Sequence, residues 1–224
     1  MSTWVVIPVK PLRLAKSRLA KVLSPEQRQH FAELMLRHVL GVVTTVPQVT
    51  GTLVISRDNR ALALARDYGA KTIQESGTPE LNAALMRATR VVAAWRSDAI
   101  LILPADLPLL QAEDVTGIIK LSGQDDPCVV LATDRARDGT NAMLVRPPGL
   151  IRYTYGAGSF DRHGALARDA GASVYLYESE RLMQDIDLPE DVENFYRMTF
   201  HRNYDSSIPL SEAFDMLQAE IDRQ

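Results

Sequence analysis

Short runs of apolar residues alternate along the chain with longer segments in which apolar residues recur three and four positions apart. The short runs have the length of buried strands, whereas the longer segments have the helical period of about 3.6 residues. Strands are predicted at residues 4–9, 52–56, 71–74, 99–103, 127–132, 142–145 and 173–177.

The first predicted helix has a clear start signal. Ser24 offers a cap, Pro25 suits the first helical position, and Gln27 stands three residues after the serine, as in a capping box. One apolar face of this helix is predicted to contain Phe31, Leu34, Met35, His38, Val39 and Val42. Further helices are predicted over residues 61–68, 81–95 and 114–121, and from Ser159 onwards.

The order of these elements predicts the fold class. Strands that alternate with helices are typical of right-handed β-α-β crossovers, and therefore of an α/β fold with a largely parallel sheet between helices. The nearly continuous apolar runs at 100–103 and 129–131 favour a sheet that is covered on both faces. After Met198 the pattern weakens, except for a short helix predicted over 211–221. The chain is thus divided into a domain at 1–198 and a tail at 199–224, which is expected to pack on the domain or on a partner in a homodimer.

Composition narrows the function classes. The chain has 224 residues and a formal net charge of −3, which argues against a nucleic-acid partner bound over the whole surface. No apolar run is long enough to span a bilayer and no basic leader opens the chain, so a cytoplasmic protein without a membrane partner is expected. The single cysteine, Cys128, lies in an apolar run and is predicted to be a buried strand thiol.

Ligands of open parallel sheets bind beyond the carboxyl ends of the strands, so the residues that follow each strand are of interest. A basic segment that includes Lys10, Arg13, Lys16 and Arg18 follows the first strand. Such a segment suits a site for phosphates, whose charge must be neutralised, but a solvated basic loop is an equally good interpretation. Neither a P-loop nor a dinucleotide fingerprint is present.

Acidic residues follow two further predicted strands. Asp106 stands between two prolines after the strand at 99–103, and Asp187 belongs to a late acidic cluster with Asp185. Magnesium prefers one or two carboxylates together with water and substrate phosphates, so Asp106 and Asp187 are predicted to hold Mg²⁺. The alternative for Asp106 is a cap on the helix that follows it.

The third group of polar residues surrounds two glycines. Gly156 and Gly158 allow a close backbone approach, and Ser159 begins a helix whose free N–H groups favour an anion. Thr140 would add a hydroxyl, and Arg162 and His163 would add charge one turn further on. A plain loop with a capping serine and a structural histidine is the alternative. Asn82, near another helix start, would either cap that helix or read a base edge.

Six motifs occur in order along the chain. They are Ile7-Pro8-Val9-Lys10 with Lys16-Ser17-Arg18-Leu19, Leu81-Asn82-Ala83-Ala84-Leu85, Leu103-Pro104-Ala105-Asp106-Leu107-Pro108, Asp138-Gly139-Thr140-Asn141, Tyr155-Gly156 with Ser159-Phe160 and His163, and Asp185-Ile186-Asp187. Together they resemble the 2-phospho-L-lactate guanylyltransferase family, whose members act in biosynthesis of the deazaflavin coenzyme F-420. The resemblance extends from about Trp4 to Tyr196.

This resemblance implies a nucleotidyltransferase fold of the GT-A type, with a Rossmann-like mixed sheet. It implies transfer of GMP from GTP to 2-phospho-L-lactate or phosphoenolpyruvate, with magnesium as cofactor and pyrophosphate as product. Related nucleotidyltransferases carry a glycine-rich loop after the first strand, whereas this loop is basic, so side chains are expected to contact the triphosphate. The implied roles are Lys10, Lys16 and Arg18 on the triphosphate, Leu81 and Asn82 beside the nucleoside, Asp106 and Asp187 on magnesium, and Thr140, Gly156 and Ser159, with His163 nearby, at the acceptor.

Two other functions remain open at this level. One is a transferase of the same fold with another nucleotide or acceptor, such as a sugar phosphate or a molybdopterin. The other is a nucleotide-binding module without catalysis, which the two predicted metal carboxylates argue against. Lys16, Arg18 and Asp106 are the residues expected to be catalytic.

Overall fold

The computed structural model describes residues 1–21, 23–76, 80–186 and 191. The described strands form one seven-stranded sheet in the order β3-β2-β1-β4-β6-β5-β7. The strands are β1 (Thr3–Val9), β2 (Val49–Ser56), β3 (Lys71–Gln74), β4 (Ala99–Ile102), β5 (Cys128–Thr133), β6 (Thr140–Arg146) and β7 (Ser173–Leu176). All seven predicted strands are therefore present, with ends shifted by at most a few residues.

Helices cover both faces of this sheet. They are α1 (Pro25–Thr44), α2 (Asn59–Asp67), α3 (Leu81–Ala94), α4 (Ala112–Ser122) and α5 (Ser159–Asp169). One apolar core joins α1, α2 and α4 to one face, and a second joins α3 and α5 to the other. Alternate residues of β1 serve the two cores, since Val5 and Ile7 lie in the first and Val6 lies in the second. The predicted α/β fold with a doubly covered sheet is confirmed.

The start of α1 is built as the sequence predicts. The Ser24 hydroxyl accepts a hydrogen bond from the Gln27 N–H at 3.2 Å, and the Gln27 side chain accepts one from the Ser24 N–H at 2.8 Å. The buried face of the helix differs in part from the predicted one. Phe31, Met35 and Val39 are buried as expected, but Leu36 and Leu40 are also fully buried, because α1 packs against both the sheet and the neighbouring loops.

Strand direction decides which chain segments meet. β1 pairs in parallel with β2 and β4, whereas β6 is antiparallel to both of its neighbours, β4 and β5. The first residue of β6, Thr140, therefore lies at the same edge of the sheet as the carboxyl ends of β1, β2 and β4. The polar residues that follow β1, those that follow β4 and those at the start of β6 therefore lie together at this edge, which is called the polar edge below.

Several sequence predictions lie outside the described residues. They include Asp187, the tail at 199–224 with its helix, and the homodimer that the tail would support. No helix in the described part of the chain is long and apolar enough to cross a membrane. Cys128 is fully buried in β5, as predicted, and burial raises the pKa of its thiol.

Candidate active site

The segment after β1, residues 10–18, is the basic loop of the site. It contains a short 3-10 helix at Leu12–Leu14, and a second one begins at Ser17. Lys10, Arg13 and Arg18 are exposed, whereas the whole Lys16 residue is only 9% exposed. The solvated-loop interpretation is therefore wrong for Lys16, the one cation of this loop that the fold buries.

Lys16 and Asp106 form an ion pair at the centre of this edge. The Lys16 Nζ lies 2.8 Å from the Asp106 Oδ2, and the two side chains are 4% and 33% exposed. Lys16 also has a φ of 54°, in the left-handed region, which costs a lysine about 1–2 kcal/mol. A strained backbone that directs a buried ammonium to a half-exposed carboxylate is typical of functional sites. One of the residues predicted to bind phosphate, Lys16, and one of those predicted to bind metal, Asp106, are thus in direct contact.

Asp106 does not cap α4, so that alternative is wrong. Gln111 is the N-cap residue, and its N–H donates to the Asp114 carboxylate at 3.1 Å. The Asp106 carboxylate is left to face Lys16 and solvent. Its oxygens suit Mg²⁺, which needs few protein carboxylates because substrate phosphates and water complete its coordination. In the described part of the chain no group of three or more acidic, His or Cys residues could hold a metal ion, so an all-protein metal cage is not built there.

Asp58 is a residue beside the site that sequence reasoning missed. It stands just beyond β2, and one of its oxygens accepts from the Arg60 N–H at 2.9 Å, which caps α2. The other oxygen accepts from the Leu12 N–H at 2.8 Å. Because a single carboxylate holds both the helix and the basic loop, the loop has a fixed anchor. An aspartate shortly after a strand and before a helix was the available signal.

The residues of the motif at 138–141 make separate contacts with different parts of the chain. The Asp138 carboxylate accepts from the Gly158 N–H at 2.9 Å, and its carbonyl oxygen accepts from the Phe160 N–H. A Cβ on Gly139 would lie 2.7 Å from an Asp134 carboxylate oxygen, so a larger residue there would displace the Asp134 side chain. Asn141 donates to the Leu182 carbonyl oxygen at 2.8 Å and thereby ties down the segment that leads to the late acidic cluster.

The glycine loop, residues 155–159, is held by these contacts and by its backbone. Gly156 has a φ of 126° and Gly158 a φ of 68°, and both conformations favour glycine. Gly158 is the N-cap residue of α5, so the alternative of a capping Ser159 is wrong. The expectation of free N–H groups at this helix start also needs correction, since Asp138 already accepts from Gly158 and Phe160. An anion bound at the start of α5 would therefore be held by side chains more than by backbone N–H groups.

Thr140, Ser159 and His163 form a buried polar cluster at the end of this loop. The Thr140 Oγ1 lies 3.2 Å from the Ser159 Oγ and 3.0 Å from the His163 Nδ1. The Thr154 N–H donates to the His163 Nε2 at 2.9 Å. His163 is 0% exposed, and burial, with a smaller effect of the Arg162 charge, lowers its pKa to about 4. Added positive charge at His163 was therefore a wrong expectation, because the ring is neutral near pH 7.

A depressed pKa in a buried histidine has a consequence for stability. Above pH 6.5 the imidazole is neutral in both states, but between about pH 4 and 6.5 the unfolded chain binds a proton that the folded chain does not. The free energy of unfolding should therefore fall by about 2 kcal/mol between pH 7 and pH 5 through this group alone. Urea unfolding of the wild-type protein and of His163→Asn at both pH values measures it. An equal loss of stability in the two proteins would contradict the expectation.

Asn82 connects α3 to the glycine loop. Its side-chain oxygen accepts from the Tyr155 N–H at 2.8 Å, whereas the cap of α3 is Glu80, which accepts from the N–H groups of Asn82 and Ala83. The interpretation of Asn82 as a helix cap is therefore wrong, whereas contact of its side chain with a base edge stays a prediction. Leu81 is 38% exposed next to it, an apolar surface at the same edge.

A further network holds the segment after β7. The fully buried Asp114 carboxylate accepts from Arg181 through two nitrogens, at 2.7 and 2.8 Å, and from the Ser179 hydroxyl at 2.7 Å. Sequence reasoning placed Asp114 only near a helix start. Its role as an anchor could not be recognised, because Arg181 lies far away along the chain.

The sheet order and the strand reversal at β6 are those of the GT-A type of nucleotidyltransferase fold. A solved structure from Desulfovibrio desulfuricans G20, assigned to the nucleotide-diphospho-sugar transferases, has this fold, with a TM-score of 0.78 and 16% identity over 100% of this chain and 98% of that chain. The model of the family described as "Guanylyl transferase CofC like" matches residues 3–211. The chain belongs to this family and is a nucleotidyltransferase.

Curated relatives cover most of the chain. A phosphoenolpyruvate guanylyltransferase of Rubrobacter xylanophilus is 41% identical over 197 residues, which is 86% of this chain and 92% of the relative. A 2-phospho-L-lactate guanylyltransferase of Methanothermobacter thermautotrophicus is 35% identical over 192 residues, 86% of this chain and 83% of the relative. The family resemblance seen in the sequence is confirmed.

Proposed function

We propose that the protein transfers GMP from GTP to phosphoenolpyruvate or 2-phospho-L-lactate and releases pyrophosphate, as a step of coenzyme F-420 biosynthesis. The observation that carries the proposal is which side chains meet at the carboxyl ends of β1 and β4. A cation–carboxylate pair follows β1 and β4, and a hydroxyl cluster opens the reversed strand β6 beside β4. One part suits a triphosphate and the other suits a small anionic acceptor. The names of the relatives support guanine as the base and a three-carbon phospho-acid as the acceptor.

In the proposed reaction an oxygen of the acceptor phosphate attacks the α-phosphorus of GTP in line, and the bond to the pyrophosphate oxygen breaks. The attacking phosphate is already anionic at neutral pH, so the site must mainly position the reactants and neutralise charge. Lys10, Lys16 and Arg18 supply positive charge for the triphosphate and the departing pyrophosphate. Thr140, Gly156 and Ser159 hold the acceptor.

Asp106, with Asp187, would hold Mg²⁺ in this scheme. Bound magnesium would neutralise phosphate charge at the reacting centre. The half-exposed Asp106 carboxylate, already directed by Lys16, fits that role. Leu81 would lie against the nucleoside.

The experiment is pyrophosphate release by the purified protein with GTP and Mg²⁺, run separately with phosphoenolpyruvate, 2-phospho-L-lactate and 3-phosphoglycerate. We expect turnover with one of the first two acceptors. ATP, CTP and UTP in place of GTP provide the matched controls. Turnover that requires another nucleotide, or no turnover with any acceptor by folded protein, would reject the proposal.

Asp58→Asn tests the anchor of the basic loop. Asparagine is also a good N-cap, so the free energy of unfolding should change by less than about 0.5 kcal/mol. The Arg60 and Leu12 N–H groups contact different oxygens of Asp58, so in the variant the Leu12 N–H would face an NH2 group, the loop loses its anchor, and the KM for GTP should rise by about 5- to 10-fold. Steady-state kinetics at saturating acceptor measures this change. Asp58→Ala should show the same rise in KM together with about 1 kcal/mol of destabilisation. An unchanged KM in both variants would contradict the anchoring role.

A further inference from the structure

The hydrogen bonds around His163 fix where its proton is. The Thr154 N–H can only donate, and it lies 2.9 Å from the His163 Nε2, so this nitrogen must carry a lone pair. A neutral imidazole then carries its proton on Nδ1, which lies 3.0 Å from the Thr140 Oγ1. Thr140 must therefore accept a hydrogen bond from His163. A protonated ring would place an N–H against the Thr154 N–H.

With this tautomer, one hydroxyl proton of the Thr140–Ser159 pair has no partner within the cluster. His163, Thr140 and Ser159 contribute three protons, one on Nδ1 and one on each hydroxyl. The histidine proton goes to Thr140, and a second proton joins the two hydroxyls, which are 3.2 Å apart. One hydroxyl proton is left over. In the described part of the chain neither hydroxyl makes another hydrogen bond, so this proton is not used there.

With the opposite tautomer, the Thr140 and Ser159 hydroxyls would have no spare proton to donate. With a lone pair on Nδ1, Thr140 would donate to His163 and Ser159 would donate to Thr140. No hydroxyl proton would remain, and only oxygen lone pairs would face an incoming anion, which would repel it. The tautomer of one buried ring thus decides whether two hydroxyls attract or repel an anionic group.

We propose that His163 is a positioning residue that keeps one hydroxyl proton of the Thr140–Ser159 pair directed at the anionic group of the acceptor. The identity of that anion as the phospho-acid rests on the function proposed above. The surroundings keep the ring in place. His163 is 0% exposed, and the Tyr155 ring packs edge-on against it with centroids 4.9 Å apart.

The tautomer can be measured directly. Two-bond ¹H–¹⁵N spectra of the full chain labelled at histidine should show His163 with its proton on Nδ1 at pH 7. His38 provides an internal comparison, because its Nε2 lies 3.1 Å from the Leu110 carbonyl oxygen and must donate. The spectra of His163→Asn and His38→Asn assign the two signals. A proton on Nε2 of His163, or a doubly protonated ring, would overturn the proposal whether or not the protein turns over any substrate.

Kinetics tests the consequence for the acceptor. The asparagine amide can stand where Nδ1 stands and still donate to Thr140, whereas leucine offers no donor, so that the spare hydroxyl proton is no longer held in one direction. We expect His163→Asn to keep the KM for the phospho-acid within about 2-fold, and His163→Leu to raise it by about 3- to 10-fold with the KM for GTP unchanged. Equal acceptor KM values for the two variants would overturn the proposal.

Failure of the proposed function is distinguished from failure of this inference. A wild-type protein without turnover on any phospho-acid would reject the function, and the spectra would still decide how the hydroxyl pair is oriented. If His163→Leu does not fold, the spectra of the wild-type protein together with the acceptor KM of His163→Asn provide the test.

Discussion

Asp106→Asn should reduce turnover by about 10³-fold or more and leave the protein folded. The side chain is one-third exposed and caps no helix, so the substitution removes charge without opening the core. The neutral amide pairs poorly with the Lys16 ammonium and is a weak magnesium ligand. Single-turnover measurements at saturating GTP and acceptor would separate this loss from a loss of binding.

A matched control lies at the opposite end of the same strand. Asp98 directly precedes β4 and accepts from the Ser2 N–H, far from the polar edge. Asp98→Asn should retain the turnover of the wild-type protein. Near-normal turnover in Asp106→Asn would reject the metal-binding role of Asp106 and with it the proposed location of the reacting centre.

Lys16→Met should reduce turnover by about 10²- to 10³-fold. Methionine keeps much of the length of the side chain but lacks the ammonium, so the Asp106 carboxylate loses its partner and the triphosphate loses a cation. Lys16→Arg should not restore activity, because the 4% exposed side chain leaves little room for a planar guanidinium. Lys71→Met, at an exposed position at the start of β3, is the control and should behave as the wild-type protein.

The double variant shows whether the two residues act as a unit. If Lys16 and Asp106 serve one reacting centre, Asp106→Asn combined with Lys16→Met should lose little more turnover than either single variant. Losses that multiply would mean that the two residues act independently, in spite of their 2.8 Å contact.

Most of the fold could be predicted from the sequence, because each strand is a short apolar run and each helix has apolar residues at helical spacing. The direction of β6 relative to its neighbours could not be predicted, because the apolar run at 142–145 has the same pattern in a parallel and in an antiparallel strand. That direction matters for function, because it places Thr140 beside the segment that carries Asp106.

The site residues were predictable where a polar group follows a strand, as for Lys16 and Asp106. Contacts between distant segments were not predictable. The oxygen of Asn82 has a backbone partner 73 positions away, and the partners of Asp114 follow β7. His163 was expected to add charge, but its pKa depends on burial by residues that the local sequence does not reveal.

The hairpin that joins β5 to β6 has a wider consequence. Its turn is closed from within, since the Asp134 carboxylate accepts from the N–H groups of Asp138 and Gly139. The same turn holds the glycine loop through Asp138. Because the Asp138 carboxylate and the Asp138 carbonyl oxygen both accept hydrogen bonds from the glycine loop and the start of α5, a displacement of the turn would also displace that loop. Under the proposed function, substitutions in the turn would therefore change how the acceptor is held, while the ion pair between Lys16 and Asp106 stays in place.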